Sequence, residues 1–413
     1  HRRIFGWLAD GSIDGVRVDH VDGLREPAAY LRRLREVAPG GWIVVEKVLA
    51  AGEAVPASWP IDGTTGYDFM DRIARLFVDP ASEAPLTAAF ERYTGTPFDP
   101  VTESRRARRD VMTDALHSEL ARLSELAIRA CATSPACRDF TRPEIETAIA
   151  ELLAGYPTYR TYLGERDGGD PDPADRARIA RAVAAAVEAR PELDRDLLDF
   201  LEAALAFELP SPEALELAHS MQQVSGPVVA KGDEDTLLYR EVRLLSRCEV
   251  GAQLEHFSVE PADLHAQLAA APPRTLLATS THDSKRGEDV RMRIAALSEL
   301  AAEWTAAVDQ WAARTESAWG DQPPDRAFEY AAWQTLVGAW PLSIERAQAW
   351  AEKATREART RTSWRRPVAA YEAARTRWLE HVYRDRELVA GLERFAAALQ
   401  PHGDRNSLAQ LLV

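Results

Sequence analysis

Three cysteines, Cys131, Cys137 and Cys248, are all that 413 residues carry. Their spacing matches no metal-binding pattern, and an odd number argues against a secreted disulfide scaffold; Cys131 and Cys137 could pair, but free thiols in a reducing cytosol are the better expectation. Lysine is nearly as scarce, with four among 50 basic residues. Acidic residues number 65, and the formal net charge of −15 excludes a general binder of nucleic acid or anionic membrane. No apolar run of about 18 residues occurs, and the chain opens on no basic, apolar, small-residue leader. A cytoplasmic protein is the expectation.

What is present describes an ordinary globular protein: 46% apolar and 28% charged residues. The length calls for two or more packed regions, one of them a large barrel. Residues 13–19 read as a short buried strand, and Pro27 opens a helix whose stripe of Tyr30, Leu31, Leu34 and Val37 ends before Pro39-Gly40-Gly41. Trp42 to Lys47 is a second strand, so the unit is strand–helix–strand with adjacent parallel strands. A Gly/Pro-rich loop over 50–68 leads to a short amphipathic helix from Phe69 to Phe77. From 82 to 220 strand signal nearly vanishes. Arg105 to Arg109 is expected to be a solvated helix face, Thr141-Arg142-Pro143-Glu144 is a capping box, Gly168 to Asp172 is a turn, and Asp172 caps the next helix. A third strand is expected at Thr275 to Ser280, followed by a helix at 288–300. Beyond 300 the chain is helical and rich in tryptophan, including Trp304, Trp311, Trp333, Trp340, Trp364 and Trp378. Core packing is the better reading for most of these, sugar stacking the alternative.

The chemistry gathers at strand ends. In Gly15-Val16-Arg17-Val18-Asp19, period-2 alternation sets Gly15, Arg17 and Asp19 on one face. A structural ion pair and a functional site both account for Arg17 beside Asp19. Glu46 ends the second strand and His282-Asp283 follow the third, and in a β/α barrel such ends converge at one mouth. An acidic pocket of Asp19, Glu46 and Asp283 with Arg17 and His282 lacks the thiol–histidine, glycine-loop or metal spacing that other chemistries need. Glycoside chemistry fits it: one carboxylate attacks or activates, and one carboxylic acid donates the proton. A divalent metal is the competing occupant, disfavoured by an arginine so close to Asp19. No cofactor is called for.

The same words carry a family resemblance. Gly15 to Asp19, Glu46 and His282-Asp283 resemble the second, third and fourth conserved regions of the α-amylase superfamily, glycoside hydrolase family 13. Val18 to Leu24, Val44 to Leu49, Gly63 to Asp68, Ser225 to Gly232 with Glu234-Asp235-Thr236, Thr279 to Asp289, Thr362-Ser363-Trp364 and Asn406 to Gln410 resemble the maltooligosyltrehalose synthases. The resemblance implies a partial (β/α)8 TIM-type barrel: barrel segments at 1–80 and 221–300, a mainly helical subdomain at 81–220, and a helical region at 301–413. It implies Asp19 as nucleophile, Arg17 as the group keeping it ionised, Glu46 as general acid/base, Asp283 as transition-state stabiliser and His282 as a hydroxyl ligand. His20, Lys231, Tyr239, Lys285 and Arg286 are further sugar contacts.

The implied reaction converts the reducing-end α-1,4 linkage of a maltooligosaccharide to α,α-1,1 by intramolecular transglucosylation, a step of trehalose biosynthesis catalysed by a (1→4)-α-D-glucan 1-α-D-glucosylmutase. Functional pairing with a maltooligosyltrehalose trehalohydrolase goes with it. A retaining α-glucan hydrolase or an intermolecular 4-α-glucanotransferase would share the three acids, and a non-catalytic α-glucan-binding protein would keep the tryptophans without needing Glu46. The family's Asn-His pair does not occur. The chain is therefore expected to be an internal fragment, lacking the first and last barrel strands and inactive in isolation.

Overall fold

The computed structural model describes residues 1–132, 134–135, 137–164 and 173–413. The turn expected at Gly168 to Asp172, and the Asp172 cap, lie outside the described residues. The chain forms two compact units, each assembled from separated segments.

The first unit comprises His1–Asp68, Ser104–Asp233 and Ala271–Leu277. Its sheet has three parallel strands in sequence order, β1 (Gly15–Val18), β2 (Trp42–Val45) and β3 (Gly63–Thr64). Gly15 pairs with Trp42 and Val18 with Val45, while Val44 pairs with Gly63. Ile43 and Val45, both fully buried, pack with Leu31 and Leu34 of the helix Pro27–Val37 and with Val21 and Trp59. On the opposite face Arg17 and Asp19 are exposed, whereas Val44, paired with Arg17, is fully buried, so the expected buried strand β1 is exposed at its carboxyl end. Only glycine fits at position 15, where a Cβ would lie 2.2 Å from the Trp42 carbonyl oxygen.

The expected third strand does not form. Thr275 Oγ1 accepts the Thr64 N–H at 3.0 Å, and the Leu276 N–H donates to the Thr64 carbonyl at 3.2 Å. A side chain thus takes the place of a backbone acceptor, and no ladder propagates toward Ser280. Leu277 is exposed.

The same unit holds a helical layer of His117–Cys131, Arg142–Ala154, Pro173–Ala189, Arg195–Leu205 and Pro212–Val229 around Leu123, Ile149, Leu198, Leu201, Leu217 and Met221. Their starts follow ordinary chemistry: the Thr141 N–H donates to the Glu144 carboxylate at 2.7 Å, and Ser211 Oγ accepts the Ala214 N–H. The arginine run is not a solvated face throughout. Arg108 is buried, paired with Asp233 at 2.5 Å and donating to the Tyr156 carbonyl at 2.6 Å; Arg109 meets Glu151. The half-buried Asp233 carboxylate and the carbonyls of Ala154 and Tyr156 beside the helix draw the guanidinium inward.

The second unit comprises Phe69–Glu103, Glu234–Ala270 and Ala278–Val413. Its helices include Glu83–Thr94, Glu288–Ala295, Ala301–Thr315, Arg326–Ala339, Ile344–Ala358, Ala369–Arg384 and Arg386–Ala409. The expected helix at 288–300 continues past Ala295 as a 3-10 turn. Tryptophan fills the core: Trp304, Trp319, Trp333 and Trp378 are fully buried, with Trp333 and Trp378 ring centroids 4.9 Å apart. Trp364 stays 52% exposed. Among the described residues, no helix is long and apolar enough to cross a membrane.

Candidate active site

The parallel register brings two of the expected site residues together within the first unit. Beyond the last paired residues, the Glu46 N–H donates to the Val18 carbonyl at 2.8 Å, which sets Glu46 beside Asp19 at the carboxyl ends of β2 and β1. Arg17 lies between them, its Nη2 2.5 Å from Asp19 Oδ1 and its Nη1 4.0 Å from Glu46 Oε1. The His20 N–H donates to Glu46 Oε2 at 2.6 Å. To aim that N–H, His20 takes a left-handed backbone conformation, φ 46°, uncommon for a residue with a side chain.

Two carboxyls so close cannot both ionise freely. Burial pushes the Glu46 carboxyl up and the Asp19 carboxylate beside it adds to that, while the His20 N–H and Arg17 pull it back; the net shift is upward. Glu46 therefore holds its proton to higher pH than an ordinary glutamate. Arg17 bonds directly to Asp19. An arginine-paired carboxylate beside a carboxyl whose pKa is raised can divide the tasks of nucleophile and acid.

Behind these groups sits a second layer. The Lys47 side chain is fully buried, its Nζ 3.0 Å from Glu53 Oε1 and 3.3 Å from Asp22 Oδ2. Burial opposes its charge, but Asp22 and Glu53 outweigh that and raise its pKa. Tyr162 donates its hydroxyl to Asp22 Oδ1, and Arg160, also fully buried, donates to the carbonyls of Asp22, Leu24 and Arg25. Asp22 and Lys47 stand inside the motifs that flagged Asp19 and Glu46, yet their chemistry depends on Tyr162 and Arg160, which no local pattern connects to them. Lys231 falls in the π-helical turn Ala230–Glu234 that follows Pro212–Val229.

The remaining expected residues lie in the second unit. His282 Nε2 is 3.4 Å from Asp283 Oδ2. The Asp283 N–H donates to Thr281 Oγ1 at 3.2 Å, and Thr281 and Ser284 exchange two further bonds across the turn. Glu249, another group without a local signal, holds the C-terminal side: it accepts the Lys285 N–H at 2.6 Å and faces Arg286 at 3.5 Å. The Lys285 ammonium sits 5.1 Å from the Tyr239 ring centroid, and burial lowers its pKa. Arg286 Nη1 also donates to the Cys248 carbonyl. Among the described residues, no group of three or more His, Cys, Asp or Glu is disposed to hold a metal ion.

Known proteins resemble this chain along its whole length. A curated relative from Mycobacterium tuberculosis, carrying the name maltooligosyl trehalose synthase, is 36% identical over 428 residues, taking in 100% of this chain and 52% of that protein. The solved maltooligosyltrehalose synthase of Arthrobacter ramosus superposes with a TM-score of 0.86 at 38% identity, covering 99% of this chain and 50% of its own. A Sulfolobus tokodaii structure bearing the same enzyme name gives 0.79 at 28% identity, with 98% and 50% covered. No family model matches. The chain thus spans about half the length of the relatives it matches, and the resemblance seen in its motifs extends to its sequence and fold from end to end.

Proposed function

We propose that this chain supplies the catalytic carboxylates of a cytoplasmic maltooligosyltrehalose synthase. The observation that carries the reading is the adjacency of Asp19 and Glu46 across the β1–β2 register, with Arg17 bonded to the first and burial pushing the pKa of the second upward. Whole-chain likeness to proteins of that name supports it. The three parallel strands are read as part of a (β/α)8 barrel, with 1–80 and 221–300 as barrel segments, 81–220 as a helical subdomain and 301–413 as a further helical region.

In this mechanism Asp19 attacks the anomeric carbon of the penultimate glucose of a linear α-1,4-glucan. Glu46 protonates the departing oxygen, and a covalent glycosyl-enzyme forms. The freed terminal glucose stays bound, turns, and presents its anomeric hydroxyl. Glu46, now ionised, takes that proton, and the α,α-1,1 bond closes with the configuration at the attacked carbon retained. Retention of the glucose beats water through effective concentration and water exclusion. Asp283 and His282 grip sugar hydroxyls, Arg17 keeps Asp19 ionised, and His20, Lys231, Tyr239, Lys285 and Arg286 contact the glucan. In this reading the product passes to a maltooligosyltrehalose trehalohydrolase, its functional partner.

The test is to incubate the full-length protein with maltopentaose and follow reducing ends. Their loss with little free glucose is expected; a rise marks a hydrolase. Glu46→Gln abolishes turnover in this reading, and glucan binding by the parent without any turnover would leave only a binding protein.

A further inference from the structure

Three of the chain's four lysines, Lys47, Lys231 and Lys285, stand in the motifs of the candidate site. In a sequence that otherwise uses arginine, a retained lysine marks a place where a compact ammonium fits and a guanidinium fork does not. Lys47 is the most enclosed of them, with no exposed side-chain surface. A buried ammonium is costly unless paired, and Lys47 is paired twice, with Asp22 and Glu53. The rings of Tyr159 and Tyr162 stand 5.7 Å from its Nζ.

These bonds join two segments. Asp22 belongs to the loop after β1, and Lys47 follows Glu46 at the end of β2. The loop is held at every turn: Arg160 takes three of its carbonyls, Tyr162 takes the Asp22 carboxylate, Gln223 Nε2 donates to the Gly23 carbonyl at 2.9 Å, and the Gly23 N–H returns to the His20 carbonyl at 3.0 Å. His20 lies between Asp19 and this anchored stretch. Its left-handed backbone persists only where the surroundings over-determine it, and its N–H is the donor on Glu46.

We infer that Lys47, acting through Asp22 and Tyr162, is a positioning residue that keeps the His20 N–H on the Glu46 carboxyl. The inference rests on the assignment of Glu46 as acid/base. Lys47 touches no reacting atom. The charged and titratable groups facing Glu46 are Asp19 and Arg17, with the His20 N–H; those facing Lys47 are Asp22, Glu53, Tyr159 and Tyr162. An N–H aimed at a carboxylate favours the ionised form, so loosening it raises the pH at which Glu46 loses its proton. An enzyme that needs Glu46 protonated then keeps its kcat/KM to higher pH.

The test compares the full-length parent, Lys47→Met, Tyr162→Phe and Glu46→Gln, each checked for folding by circular dichroism, with maltopentaose across pH. Lys47→Met is expected to lower kcat about tenfold to a hundredfold with KM nearly unchanged, and to move the alkaline limb of kcat/KM upward by roughly half a unit or more. Tyr162→Phe, which removes one hydroxyl, is expected to move it the same way by less. A limb left in place in a folded Lys47→Met protein overturns the inference, since a structural residue would lower the folded fraction without moving the limb. Should Lys47→Met not fold, an unmoved limb in Tyr162→Phe overturns it equally. A Glu46→Gln protein that still turns over fails differently: it removes the acid/base assignment itself, and the inference with it.

Discussion

The backbone N–H of Glu46 donates to the carbonyl of Val18, 2.8 Å away, one rung past the last paired residues of β1 and β2. A single backbone hydrogen bond therefore fixes how far the two candidate catalytic carboxyls stand along the sheet. That rung depends on the register below it, which begins where Gly15 lies against Trp42. Gly15→Ala places a methyl 2.2 Å from the Trp42 oxygen and must separate or slide the strands. It is expected to cost about 1–3 kcal/mol in urea unfolding and to depress kcat more than that loss of stability accounts for. Parent-like stability with parent-like kcat would contradict the register argument.

Thr275 serves β3 through its hydroxyl rather than its backbone. Thr275→Val keeps the shape and leaves the Thr64 N–H without its 3.0 Å acceptor, at about 1–3 kcal/mol. Thr275→Ser should restore most of that. Chemical denaturation of the three proteins checks the order, and equal midpoints for Val and Ser would refute it.

Glu241 is buried, with one carboxylate oxygen lacking any hydrogen-bond partner. Burial, then the nearby Glu103 and Asp99 carboxylates, push its pKa up to about 7, against the pull of Arg243. The folded-state value lies above the unfolded one, so its favourable contribution is complete below about pH 4.5 and is lost as pH rises through about 7. Glu241→Gln removes this dependence. The variant should match the parent near pH 5 and exceed it at pH 8, by up to about 3 kcal/mol. Melting temperatures at the two pH values decide; a variant less stable at pH 8 than at pH 5, relative to the parent, would reverse the sign.

Glu329 sits at the centre of the second unit with no exposed side-chain surface. It accepts from Trp319 Nε1 at 2.6 Å and from Tyr93 and Arg326 at 2.7 Å. Glu329→Ala strands all three donors, and breaking a buried pair from one side costs about 3–5 kcal/mol. Glu329→Gln, which keeps an acceptor, should lose less. Similar losses for both would mean that the cluster is not maintained by its hydrogen bonds.

The legible parts of this molecule are those whose cause lies within a few residues. The capping box at Thr141 and the first two strands follow from local chemistry, and Trp304, Trp333 and Trp378 are core residues as their helical setting implies. Asp19 and Glu46 could be paired because the strand–helix–strand unit makes their strands neighbours. The third strand is not legible locally: Thr275 to Ser280 is apolar and β-branched at its start, yet a threonine hydroxyl ends the ladder after two residues. Tyr162 was invisible as a partner of Asp22 because 140 residues separate them. Arg108 looked like part of a solvated run because its partner, Asp233, lies 125 residues on.

The bond between Thr64 and Thr275 also sets a timetable. Their separation of 211 residues takes a ribosome roughly 10–40 s to translate at 5–20 residues per second. Throughout that interval β3 exists with its outer edge bare, long after β1 and β2 have emerged. An unfilled sheet edge is a template for the wrong strand, so the nascent chain is most open to mispairing and to chaperone capture after Thr64 is made and before Thr275 follows.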